Sequence, residues 1–158
     1  MRKMAVVYYS RSGNTKAMAN LIAEGAREES DVEVDVKDIK DFPAEKALEY
    51  DGLIVGSPTY YGSMAYQIKK LFDDSVSFHG KLSGVVGAAF SSAANIGGGN
   101  ETTITGILNA MIVHGMIVQG VERGDHYGPV AIGNPDKRVT KQCHAFGKRI
   151  ASLVKKVR

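Results

Sequence analysis

The chain has 158 residues, 44% hydrophobic and 23% charged, the composition of an ordinary folded domain of one core spanning residues 1–158. The 20 Lys and Arg against 17 Asp and Glu leave a net charge of +3, scattered except at the tail Lys155-Lys156-Val157-Arg158, so nucleic-acid binding is not expected. No apolar run reaches the ~18–20 residues of a membrane span. Met4-Ala5-Val6-Val7 is too short for a signal-peptide core, and one cysteine, Cys143, excludes a disulfide framework or a multi-cysteine metal site. A cytoplasmic protein without a metal is the expectation.

Strand-like runs alternate with helix-like segments along the chain, the pattern of a parallel sheet covered by helices on both faces. Met4 to Tyr8 is continuously apolar, as a strand buried on both faces should be. In the helix that follows, from Thr15 to Arg27, Met18, Leu21, Ile22 and Ala26 fall on one stripe. Val32, Val34 and Val36 alternate with Glu33, Asp35 and Lys37, so the second strand buries one face and belongs at the sheet edge. Leu53 to Val55, Val85 to Phe90 and Met116 to Val118 supply three more strands. Between them, helices are predicted near Met64 to Asp73, with Ile68, Leu71 and Phe72 inward, and near Glu101 to His114, with Ile104, Ile107, Leu108 and Met111 inward. The last helix is read with Asn134 as cap, Pro135 first and Asp136 at the positive dipole end. Its stripe runs through Val139, Cys143, Phe146, Ile150, Leu153 and Val157, which places Cys143 in the core. Five strands with the second at an edge predict a doubly wound α/β sheet of order 2-1-3-4-5, whose ligands bind beyond the carboxyl ends of the strands.

Three loops lie at those ends. Ser10-Arg11-Ser12-Gly13-Asn14-Thr15 runs from the first strand into a helix start, where backbone amides are unpaired and the dipole is positive. A helix cap needs one polar residue; five donors in six positions make a nest for a phosphate. The G-x-x-x-x-G-K-[ST] and G-x-G-x-x-G patterns are absent, which removes the main support for nucleotide triphosphatase and nicotinamide-dehydrogenase folds. After the third strand, Gly56-Ser57-Pro58-Thr59-Tyr60-Tyr61-Gly62-Ser63-Met64 places two tyrosines where a flat ligand can stack. After the fourth, Ser91-Ser92-Ala93-Ala94-Asn95-Ile96-Gly97-Gly98-Gly99-Asn100 is small enough for the backbone to approach a ligand closely. His79 and His126 have no partners at metal-ligand spacing and read as solvated.

Together, Tyr8-Tyr9-Ser10-x-Ser12-Gly13-Asn14-Thr15, the segment Gly56 to Met64, and Gly97-Gly98-Gly99-x-Glu101-Thr102-Thr103-Ile104 followed by His114-Gly115-Met116 resemble the flavodoxin-like FMN proteins. The likeness covers nearly the whole chain in order and is strongest to the WrbA-type NAD(P)H:quinone oxidoreductases. The resemblance implies a flavodoxin-like sheet that carries FMN, with the phosphate on Ser10, Arg11, Ser12, Gly13, Asn14 and Thr15. It implies a flavin ring between Pro58, Thr59, Tyr60, Tyr61 and Gly62 on one side and Ser91, Ser92, Ala93, Ala94, Asn95, Gly97 and Gly98 on the other. It further implies that His114 reaches the flavin site from a neighbouring part of a homo-oligomer, and that NAD(P)H is the electron donor. Tyr127, read in a loop after the fifth strand, is a candidate cover for the flavin edge. Two features depart from the WrbA type. The segments Asp41 to Tyr50 and Asp73 to Lys81 are short where that type builds its tetramer and nicotinamide pocket, and there is no tryptophan, leaving Phe78 or His79 as the aromatic near a substrate.

Two functions compete for such a site. One passes electrons from NAD(P)H through flavin to a quinone or similar small acceptor; the flavin does the chemistry and no side chain need be an acid or base. The other is a one-electron carrier that docks on redox proteins. Carriers of that kind are typically acidic, so the charge of +3 and Arg11 beside the phosphate favour the reductase. A phosphoacceptor domain of the same architecture lacks support, because Ser10 and Ser12 stand where its acidic cluster would be.

Overall fold

The computed structural model describes all residues from Met1 to Arg158. The apolar run beyond Lys3 forms β1 (Arg2–Tyr8), which pairs in parallel with β2 (Val32–Asp38) on one side and β3 (Gly52–Tyr60) on the other. β3 in turn pairs with β5 (Val86–Ala93) in parallel and turns back through a two-residue β4 (Ser63–Met64). The order β2-β1-β3-β5, with a fifth strand position beyond β5, is the expected doubly wound sheet, with the alternating strand β2 at its edge. No helix is long and apolar enough to cross a membrane.

The fifth strand position departs from the sequence reading, because it is filled twice. β6 (Ile117–Val118) pairs with Val86 and Gly87, and β7 (Val130–Ile132) pairs with Ser91 to Ala93. Tyr127 therefore lies in a loop inserted into the fifth strand, not after it. The insertion, residues 119–129, carries Gly120, Gly124, Gly128 and Pro129, which cannot sustain a ladder. Gly128, at φ +139°, lies against β5 so closely that a Cβ would stand 2.0 Å from the Ala89 carbonyl oxygen.

Helices α1 (Asn14–Ala26) and α4 (Lys137–Val157) cover one face, and α2 (Tyr66–Asp74) and α3 (Asn100–Val113) the other. The cap of α4 sits two residues later than its sequence suggests. Asp136 accepts the Val139 amide at 2.8 Å, so Asn134 and Pro135 precede the helix. Its stripe ends on Val154, which packs at Gly52, while Val157 is 41% exposed in the last turn. Cys143 is buried in the core, and that burial pushes its thiol up to about 12. α1 and α4 cross almost backbone to backbone at Gly25 and Gly147, an approach no larger residue permits.

Candidate functional site

Beyond Tyr8 the chain leaves the sheet and enters α1 through the loop 10–13. Ser10 Oγ accepts the Gly13 amide at 3.1 Å, and Gly13, at φ +99°, turns the chain into the helix. The amides of Arg11, Ser12, Asn14, Thr15 and Lys16 donate to no backbone carbonyl. Five unpaired N–H groups at a helix N-terminus form a concavity for an oxyanion. Thr15 is 2% exposed, and its Oγ1 lies 2.9 Å from Ser92 Oγ, so one hydroxyl can donate to the other and leave a proton for a ligand.

β3 supplies a second wall by continuing three residues past Ser57. Its turn is a two-residue hairpin with both central residues left-handed, Tyr61 at φ +49° and Gly62 at φ +76°. The mirror-image turn that suits strand twist needs that geometry, and asparagine or glycine ordinarily supplies it. A tyrosine there is strained, and this one is fully exposed. Tyr60 packs edge-on against Tyr9, ring centroids 6.4 Å apart. Burial and Tyr9 push the Tyr60 hydroxyl up, and neighbouring Arg11 partly offsets them.

The third wall is the end of β5 with Gly133 at the end of β7. Together the walls enclose a cleft of about 310 Å³: Arg11, Ser12, Asn14 and Thr15 on one side, Pro58, Thr59 and Tyr60 on the second, Ser92, Ala93, Ala94 and Gly133 on the third. Arg11 is the one charged residue among these. Ser10 and Gly13 shape the nest from behind, Ser91 is buried beneath, and the turn at Tyr61 and Gly62 and the loop of Asn95, Gly97 and Gly98 flank the cleft without lining it. Gly133 was not legible in the sequence, since its strand carries no periodic signal.

Two expected residues neither line nor flank the cleft. Tyr127 is exposed in a separate groove beside Glu101. His114 caps the far end of α3, a 14-residue helix and hence about 20 Å from the cleft end. It is 6% exposed, with Nε2 at 2.7 Å from Ser75 Oγ and its ring beside Phe78 and His79. Burial, then the charge of His79, lowers its pKa from 6.5. Below that value the unfolded chain takes up a proton that the folded chain resists, so stability is full above about pH 6.5 and declines as pH falls. Denaturation midpoints from pH 7 to 5 should fall less steeply in His114→Gln than in the parent.

The profile of the Flavodoxin family matches residues 6–104. The chain belongs to the flavodoxin family. A flavodoxin of Aquifex aeolicus is 40% identical over 162 aligned residues, covering 98% of this chain and 88% of its own. An NAD(P)H dehydrogenase (quinone) of Archaeoglobus fulgidus is 30% identical over 191, covering 99% of this chain and all of its own. A solved structure described as a flavodoxin, WrbA-like protein from Agrobacterium tumefaciens superposes at a TM-score of 0.85 and 25% identity, with both chains fully covered. The cofactor of this flavodoxin-family protein is FMN, and the cleft fits it. Unpaired amides and hydroxyls suit a phosphate monoester, and small residues with an aromatic wall suit a flat ring.

Proposed function

We propose that the protein is an FMN-dependent electron-transfer protein that exchanges electrons with a protein partner across the exposed rim of the cleft. The nest from Ser10 to Thr15 holds the phosphate; Thr59, Tyr60 and Tyr61 flank one side of the ring, and Ser92 to Asn95 the other. When bound, FMN supplies the redox chemistry, and the chain positions it and controls access. The observation that carries this reading is the rim: Tyr60, which lines the cleft, Tyr61, in the turn that flanks it, and Ile96, in the loop after β5, stand exposed. Large apolar side chains grouped at a functional cleft suit a docking surface.

The likeness to the quinone dehydrogenase and to the WrbA-like structure favours the second reading, an NAD(P)H:quinone-type oxidoreductase. Anaerobic mixing with NADH and NADPH separates the two. A carrier is reduced by neither within minutes but is reduced by a partner reductase. Bleaching within seconds by either nucleotide, followed by reoxidation with a quinone, returns the oxidoreductase. Because Arg11 is the one charge lining the cleft, docking relies on apolar contact, and the rate of electron transfer to a partner should change less than about threefold between low and high salt.

The strained tyrosine gives a second expected result. Tyr61→Asn should stabilise the flavin-free protein by about 0.5–1 kcal/mol, because asparagine tolerates the left-handed turn. The same change should weaken FMN by about 0.5–1.5 kcal/mol, the worth of an aromatic contact. Unchanged FMN affinity would show that the ring does not touch Tyr61.

A further inference from the structure

Beneath the cleft lies a buried polar cluster that no binding role yet accounts for. Asn100, the first residue of α3, is its centre and is 6% exposed. Its Oδ1 accepts the Ser91 hydroxyl at 2.6 Å and lies 3.4 Å from Thr59 Oγ1. Its Nδ2 donates to the Ala131 carbonyl of β7 at 3.4 Å. Thr103, one turn along α3, donates to Thr59 Oγ1 at 3.1 Å. The protons run in one consistent direction: Thr103 to Thr59, Thr59 and Ser91 to the Asn100 oxygen, and the Asn100 amide to Ala131. Each hydroxyl hydrogen is used once, and no member is left without a partner.

One side chain thus ties together the ends of β3, β5 and β7, the strands that carry two of the three cleft walls. A simple helix start would not need it, because Gly99 already makes the turn into α3, at φ +111°. We infer that Asn100 is a positioning residue that sets the spacing between the two walls flanking the flavin ring, and through it the preference of the site for oxidised over reduced FMN. The inference rests on the proposed placement of FMN in this cleft. Asn100 and Thr103 do not line the cleft, so they act through Thr59 and Ser91. A buried network of this kind holds one geometry, and losing a member leaves its partners unsatisfied.

The experiment compares the parent with Asn100→Ala, with Thr103→Val, which removes one hydroxyl at nearly constant volume, and with Thr103→Ser, which keeps it. Each protein, shown folded by circular dichroism, is titrated with oxidised FMN and, anaerobically, with fully reduced FMN. The expected result is that Asn100→Ala and Thr103→Val weaken oxidised FMN about tenfold and change the oxidised-to-reduced affinity ratio at least about threefold, while Thr103→Ser keeps the parental ratio. A role in folding alone would lower the denaturation midpoint and leave that ratio unchanged. Should Asn100→Ala not fold, Thr103→Val and Thr103→Ser carry the same comparison. A parental ratio in the folded variants overturns the role of Asn100; failure of the parent itself to bind FMN overturns the placement on which it rests.

Discussion

Gly147→Ala is expected to lower the stability of the fold by about 3 kcal/mol or more, the upper end of what overpacking costs. An added Cβ at Gly147 would stand 1.9 Å from the Ile22 carbonyl oxygen, and one at Gly25 would stand 2.0 Å from that of His144. Both obstacles are backbone atoms, so no rotamer relieves them and α1 must move off α4. In an unobstructed helix the same substitution stabilises by about 1 kcal/mol, so the sign distinguishes crossing from surface. Gly106 of α3, where a new Cβ meets the flexible end of Met64 at 3.3 Å, supplies the contrast, and Gly106→Ala should be neutral or stabilising. Urea midpoints with an unchanged slope are the measurement. Because α1 carries the phosphate nest at its first turn, Gly147→Ala should also loosen FMN, although residue 147 lies outside the cleft.

Thr15→Val is expected to weaken FMN by about 1–3 kcal/mol, the cost of leaving a buried polar group without its partner. Valine has nearly the volume of threonine, so packing is kept. What is lost is the hydroxyl 2.9 Å from Ser92 Oγ, which can receive one proton from Ser92 and pass its own to a ligand. Thr15→Ser keeps the hydroxyl and should bind FMN close to the parent. Riboflavin, which lacks the phosphate, should bind Thr15→Val and parent alike; an equal loss for both flavins would move the role of Thr15 from phosphate to ring.

The parts of this fold that read from sequence are those whose cause is local. β1 is apolar because it is buried on both faces, β2 alternates because it is an edge, and the nest at Ser10 to Thr15 is contiguous in the chain. The parts that did not read are short or tertiary. β6 and β7 have two and three residues, too few for a period, so Gly133 and the inserted loop around Tyr127 were invisible. Asn134 and Asp136 are both good caps, and only the fold decides that the Val139 amide meets Asp136. The turn at Tyr61-Gly62 lacks the usual asparagine and so gave no hairpin signal. The near contact of Gly25 with α4 and the reach of Asn100 to three strands join segments distant in sequence. His114 shows a different case: the resemblance assigns it to a site shared between subunits, and within its own chain it sits beside Ser75 and Phe78 at the far end of α3.

The central claim is that the cleft binds FMN through a nest for one phosphate. Titrating the flavin-free protein with FMN, riboflavin and FAD, followed by quenching of flavin fluorescence, tests it most directly. Charge-assisted bonds are worth about 1.5–3 kcal/mol each, so losing two or more should weaken riboflavin at least about a hundredfold relative to FMN. FAD, whose phosphate is esterified onward, should bind more weakly than FMN as well. Riboflavin or FAD binding as tightly as FMN, or no flavin binding at all, would contradict the account.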